Sequence, residues 1–237
     1  MVLYYKRKEQ GMKGKYYINM SGIYDGFLSE IDCKSVSGTN CYCDATAKDT
    51  LRVRLKDIPV DAIHFLDSGN YHYLSYFFLE QIKEEYALVL FDKHPDYQLP
   101  SFGEILSCGG WVKNAWEELP NLKEVYMVGV DRMLFEKLAD VPEKVKWLDV
   151  QDLEKLKSKL PVYVSIDKDV LSTEFASCDW DQGDMSLEEL LCALRELRDN
   201  HPILGVDVCG EKKESPTDDE RDRNQRINDE ILKVFPL

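Results

Sequence analysis

The 237-residue sequence predicts an α/β fold, with a mostly parallel sheet covered by helices on both faces. Three observations predict it. Short apolar runs alternate along the chain with longer stretches of helical period. One of the runs, ALVLFD at 87–92, reads as a buried strand. Polar residues of metal-ligand type follow several of the runs directly, which is where an open α/β sheet forms its sites.

Taken in order, the first 45 residues are the least regular and offer only YYIN at 16–19 as an edge strand. The further expected strands are AIHFLDS (62–68), ALVLFD (87–92), EVYMVGV (124–130), VKWLDV (145–150), PVYVSID (161–167) and ILGVDV (203–208). Between them, helical patterns cover 73–85, 109–118, 132–141 and 186–200. The last has apolar residues at 187, 190, 191, 194 and 197, and opens with Ser186 and Glu189 as a capping box. RINDEILKVF near the end reads as a terminal helix. No repeat and no domain boundary is evident, so residues 1–237 are expected to form one domain.

Composition excludes several function classes. A hydrophobic fraction of 44% with 11% aromatics fits a globular chain. The net charge of −14 argues against nucleic acid or an anionic membrane surface as the main partner, and is compatible with a cationic substrate. No 18-residue apolar run exists, and MVLYYKRKEQ lacks the apolar stretch of a secretory leader. Seven cysteines, an odd number, then point to a reduced cytoplasmic protein. Cys41 and Cys43, with Cys33 nearby, are thiols for a zinc site, but no second C-x-x-C pair completes it. Buried or half-exposed thiols are the simpler reading.

The chemistry lies at the ends of four runs. AIHFLDS is followed by His72, and ALVLF by Asp92, His94 and Asp96. PVYVSI is followed by Asp167 and Asp169, and ILGV by Asp207 with Glu211 just beyond. Residues at i and i+2 share one side of a strand, so Asp92 converges with His94, and Asp167 with Asp169. Pro95 ends the strand and lets Asp96 turn back. By the same alternation Lys93 and Lys168 face away, as charge balance or as surface lysines. Four neighbouring carboxylates would repel one another unless protonated or neutralised. Two divalent cations would neutralise them, and oxygen-rich ligands with two imidazoles suit Mn²⁺ better than a structural zinc.

These residues carry a resemblance. GNYH, DKHPD and SIDKD, in that order, resemble the Gly-x-x-His, Asp-x-His-x-Asp and Ser-x-Asp-x-Asp motifs of the arginase and ureohydrolase superfamily, over about residues 60 to 210. The resemblance implies a three-layer α/β/α fold. It also implies two Mn²⁺ held by His72, Asp92, His94, Asp96, Asp167 and Asp169, and hydrolysis of a guanidinium group to urea and an amine. Asp96 and Glu211 are then the candidate catalytic residues, and Glu211, Asp207 and Tyr97 the candidate substrate contacts. The chain departs from the family pattern in three places. VLSTEF replaces the usual Asp-Pro continuation, no His follows DKHPD in the position of the proton shuttle, and the nominal place of the guanidinium-binding Glu is Gly210. His201 precedes a strand and so falls at the wrong end of the sheet.

The short chain is similar to a compact branch that includes peptide arginases, so the expected partner is a guanidino small molecule or an arginine-containing peptide. Self-association into a homo-oligomer is expected from the resemblance alone. Two other readings stay open: a deacetylase or other amidohydrolase on the same fold, and a metal-binding homologue without turnover. Trp111, Trp116, Tyr97 and Phe102 follow the metal motif and read first as packing, with Tyr97 and Phe102 the places to seek contacts to a peptide.

Overall fold

The computed structural model of the chain describes residues 11–99 and 105–237, with residue 154 described for its backbone alone. Eight strands make one sheet: β1 (Lys15–Asn19), β2 (Glu30–Asp32), β4 (Ile63–Phe65), β5 (Tyr86–Phe91), β7 (Leu122–Val128), β8 (Val145–Leu148), β9 (Val162–Asp167) and β10 (Ile203–Cys209). Their order across the sheet is β2-β1-β4-β10-β9-β5-β7-β8, and every neighbouring pair is parallel. Two further strands, β3 (Tyr42–Cys43) and β6 (Leu106–Ser107), pair antiparallel outside it. The helices are α1 (Ala45–Leu55), α2 (Ser75–Leu79), α3 (Trp111–Glu118), α4 (Arg132–Glu136), α5 (Leu187–Asn200) and α6 (Asp218–Val234).

Strand β5 shows why the sheet needs two covers. All six of its side chains are buried: Tyr86, Leu88 and Leu90 join the core on one face, and Ala87, Val89 and Phe91 the core on the other. The first core is roofed by α1, α2 and α3, through residues such as Leu51, Phe77 and Trp111. The second is roofed by α5 and α6, through Leu190, Leu194, Ile227 and Ile231. This is the three-layer arrangement.

Several boundaries differ from the sequence reading. YYIN is an interior strand, because β2 covers the outer edge of β1. The expected helix at 73–85 is a 3₁₀ turn over 69–74 followed by α2, which ends at Leu79. The expected helix at 132–141 ends at Glu136. Helix α1 was not expected. Its buried stripe is only Ala47, Leu51 and Leu55, and its clearest signal is Asp44, which accepts from the Ala47 backbone N–H at 2.8 Å. Helix α6 begins well before RINDEILKVF, at a capping box of Thr217 and Glu220. No helix among the described residues is long and apolar enough to cross a membrane.

His64 on β4 is fully buried. Its ring stacks on Phe78 at 3.7 Å between centroids, Nε2 lies 3.0 Å from the Pro59 carbonyl and Nδ1 lies 3.3 Å from the Tyr163 hydroxyl. A neutral imidazole satisfies both contacts by donating through Nε2 and accepting at Nδ1. Burial lowers its pKa from 6.5 to about 4. Between those values the unfolded chain binds a proton that the folded chain refuses. This contribution to stability is therefore complete above pH 6.5 and is lost as the pH falls towards 4, by about 3 kcal/mol. Urea unfolding of the wild type and of His64→Gln across that range should show the variant with the shallower loss on the acid side.

Candidate metal centre

The centre sits at the carboxyl ends of four adjacent strands, β4, β10, β9 and β5. Asp92 follows β5, and its Oδ1 accepts from the His94 backbone N–H at 2.5 Å. The Lys93 N–H between them donates to Asp169 Oδ1 at 3.1 Å, tying the β5 turn to the β9 turn. Asp96 has φ of +46°, in the left-handed region that Asp tolerates better than most residues. That turn brings its carboxylate back, where Oδ2 accepts from Trp111 Nε1 at 2.8 Å. On β9, Asp167 Oδ1 accepts from the Asp169 N–H at 2.9 Å. Each ligand-type carboxylate is thus oriented by the backbone or by a buried indole.

His72 is aimed by a chain of hydrogen bonds. Ser165 Oγ donates to Asp207 Oδ1 at 2.6 Å, so its oxygen is left to accept from His72 Nε2 at 2.9 Å. In the neutral ring this puts the proton on Nε2 and a lone pair on Nδ1. Nδ1 faces Asp96 Oδ2 at 3.0 Å, Asp92 Oδ2 at 3.2 Å and Asp167 Oδ2 at 3.6 Å, yet is buried with no hydrogen-bond partner. An acceptor surrounded by acceptors calls for a cation between them. His94 Nδ1 lies 2.9 Å from Asp169 Oδ2 and 3.5 Å from Asp92 Oδ1. Its Nε2 lies 2.9 Å from Asp181 Oδ1, and Asp181 also pairs with Lys93 at 3.3 Å. Asp181 is a part of the centre that the sequence does not mark; Trp111, expected as packing, lies in the first core and also donates to Asp96.

The charges show the same need. Burial, reinforced by the neighbouring carboxylates, raises Asp92 and Asp167; burial raises Asp96, and burial with Asp92 raises Asp169 to about 7. Burial opposes charge on the two imidazoles, but the carboxylates outweigh it: His72 moves well up and His94 is pushed up to about 12. The carboxylates that favour positive charge on the imidazoles would equally favour a metal ion in its place. Two donor groups, His72–Asp92–Asp96 and Asp92–His94–Asp169, each place their ligand atoms within 4.8 Å of one another, and they share Asp92. A third group is His72–Asp167–Cys209. Cys33, Cys41 and Cys43 belong to no such group among the described residues, and all seven thiols are free.

A cleft of about 240 Å³ opens over the centre. Asp92, His94, Asp96, Asp167 and Asp169 form its floor, and Gln98, Leu99, Trp180 and the β3–β6 pair form its walls. Tyr97 is not a lining residue; it is 4% exposed and belongs to the first core. Phe102 lies outside the described residues. Trp116 packs against the first core. Asp207 lies beneath the centre and is pushed up to about 6, chiefly by burial.

Glu211 also lies off the cleft. Alternation sends Lys168 away from Asp167 and Asp169 as expected, but not to the surface. Lys168 is fully buried and forms an ion pair with Glu211, which also accepts from Asn228 at 2.9 Å and from the Tyr24 hydroxyl at 3.2 Å. Burial alone would raise the Glu211 pKa; Lys168 outweighs it and holds the carboxyl below its ordinary value. His201 follows α5 at the far end of the sheet from the centre.

The sequence model described as the Arginase family matches residues 69–226. An uncharacterized protein of Thermotoga maritima is 39% identical over 149 residues, which are 63% of this chain and 58% of that relative's length. Formimidoylglutamase from Bacillus subtilis is similar in structure over 97% of this chain and 89% of its own, with a TM-score of 0.67 and 17% identity. A triple mutant of a T. brucei arginase-like protein, bound with Mn²⁺, is similar over 96% and 92%, with a TM-score of 0.60 and 16% identity. At these identities the likeness is one of fold, an α/β/α sandwich on a parallel sheet.

Replacing Lys168 by Met strands the Glu211 charge, and should lower the unfolding free energy by about 3–5 kcal/mol in urea melts. The double variant Lys168→Met/Glu211→Gln should recover most of that loss. A single variant as stable as the wild type would show that the pair does not carry the charge assigned to it.

Proposed function

The chain belongs to the arginase family, and on that premise we propose that it is a hydrolase of amidino C–N bonds working with two divalent metal ions. The observation that carries this reading is the pair of donor groups sharing Asp92, with His72 Nδ1 buried and unpartnered among three carboxylates. His72, Asp92 and Asp96 would hold one ion, His94, Asp92 and Asp169 the other, and Asp167 lies within reach of the first. Each of these groups joins one imidazole to two carboxylates, a donor set that suits Mn²⁺. The chemistry such ions supply is Lewis acidity and a water acidified towards neutral pH.

The rest falls to the chain's own residues. Asp207 and Ser165 keep the proton of His72 on Nε2. Asp181 does the same for His94, by accepting at its outer nitrogen. Asp96, whose Oδ2 accepts from Trp111, would take the proton of the attacking water in this reading. Trp180 and the β3–β6 wall limit access of bulk water. The substrate we propose is a guanidinium, on a small molecule or on the arginine side chain of a peptide. One observation favours a second reading: Glu211, expected to hold that cation, is already paired with Lys168. A neutral amide, as in a deacetylase reaction on the same fold, needs no such carboxylate.

Metal analysis after Mn²⁺ loading should give two ions per chain, and fewer in Asp92→Asn. The loaded protein should release urea from a panel of guanidino compounds and arginine peptides, and Asp96→Asn should lower kcat by about 10²-fold or more. Release of acetate from acetyl-lysine in place of urea would select the second reading. No turnover of either panel with two ions bound would remove both. Asp181→Asn should weaken metal affinity about 10- to 100-fold in equilibrium dialysis, while leaving the fold intact.

A further inference from the structure

One donor beside the centre is not used by the reading above. Cys209, at the end of β10, is 1% exposed, and its Sγ lies 3.0 Å from Asp167 Oδ2. Cys209 and Asp167 face each other directly in the β10–β9 register. The next residue, Gly210, has φ of +90°, and a Cβ there would collide with Asp167 Oδ1 and stand 2.8 Å from the Lys168 backbone nitrogen. The chain is thus pressed against Asp167 at this point, and the thiol is fixed beside the centre. His72, Asp167 and Cys209 each bring a donor atom within 4.8 Å of the others, and the unpartnered Nδ1 of His72 lies 3.6 Å from Asp167 Oδ2.

We propose that Cys209 is a thiolate ligand of the ion on the His72 side, so that this position prefers a softer ion (Zn²⁺, Co²⁺ or Fe²⁺) to Mn²⁺. The spacing fits. An ion about 2.3 Å from a thiolate sulfur and about 2.1 Å from a carboxylate oxygen sets the two donors about 3 Å apart when they subtend a right angle. Soft thiolate donors select against Mn²⁺, whereas the Asp92–His94–Asp169 group has no sulfur. The two positions are therefore chemically unequal. On binding, the thiol proton is released to solvent as the sulfur–metal bond forms, so charge and atoms balance without an oxidant or reductant.

The inference rests on the two-ion reading, and one titration separates their failures. Co²⁺ is added to the metal-free full-length protein and followed by absorption. Visible ligand-field bands should grow to two ions per chain, with a near-ultraviolet thiolate-to-cobalt band belonging to one of them. In Cys209→Ser the visible bands should persist and the thiolate band should vanish. The same variant should lose at least about tenfold of the preference for Zn²⁺ over Mn²⁺ at that position. The triple variant Cys41→Ser/Cys108→Ser/Cys178→Ser removes the other nearby thiols and should keep the band. Of the thiols that remain, Cys33 and Cys43 belong to no donor group among the described residues and Cys192 is exposed on α5, so a retained band reports Cys209 even where Cys209→Ser fails to fold. Cobalt bands without a thiolate band, or a band lost in the triple variant, overturn the role of Cys209 and leave the two-ion reading standing. No cobalt binding at all overturns the two-ion reading itself.

Discussion

Four buried carboxylates at the ends of adjacent parallel strands are the constraint around which the rest of the molecule is arranged. Asp92, Asp96, Asp167 and Asp169 are each 6% exposed or less. Mutual repulsion at that burial is intolerable unless positive charge is supplied. The carboxylates favour the charged form of His72 and His94, and divalent cations would supply the positive charge more fully. The turns after β5 and β9 exist in their present form because backbone N–H groups must reach these oxygens.

The parallel sheet divides two kinds of charge. On the face roofed by α1, α2 and α3, the string Asp207–Ser165–His72 directs an acceptor at the centre. Behind β9, Lys168 neutralises Glu211, with Asn228 of α6 and Tyr24 closing the arrangement. The period-2 alternation of the strand end makes this division possible, because it sends Asp167 and Lys168 to opposite sides. An internal cation so placed has consequences for specificity, since the carboxylate it neutralises is withdrawn from binding a substrate cation.

Much of this was legible in the sequence, for stated reasons. Apolar runs identified the six later strands of the eight-stranded sheet, of which β4, β5, β9 and β10 are buried along nearly their whole length and cannot hide their composition. The spacing of Asp92, His94, Asp167 and Asp169 marked the centre, although the pairs converge through turns just past β5 and β9, where Asp92 accepts from the His94 N–H and Asp167 from the Asp169 N–H. What escaped was set by tertiary placement. Helix α1 has a three-residue buried stripe and an otherwise charged surface, too weak a periodic signal. YYIN passed for an edge because its cover, β2, is only three residues long. Asp181 lies twelve residues beyond Asp169, in a polar stretch without a regular period, and only the fold brings it to His94. Lys168 was placed on the correct side, but its depth depended on α6 and Tyr24, which no local pattern reveals.

The β3–β6 pair has a bearing on what enters the cleft. Each of its strands has two residues, and the pairing consists of Tyr42 with Ser107 and Cys43 with Leu106. The strands beneath belong to an eight-stranded sheet, whereas this wall has a two-residue ladder, extended by the Cys108 N–H donating to the Cys41 carbonyl and seated in the first core by Cys43 and Leu106. Segments with few protected backbone hydrogen bonds open at a small fraction of the global unfolding free energy. One wall of the cleft therefore has far fewer ladder hydrogen bonds than the sheet beneath it, so a guest too broad for the 240 Å³ cleft would be accommodated at that wall before the floor.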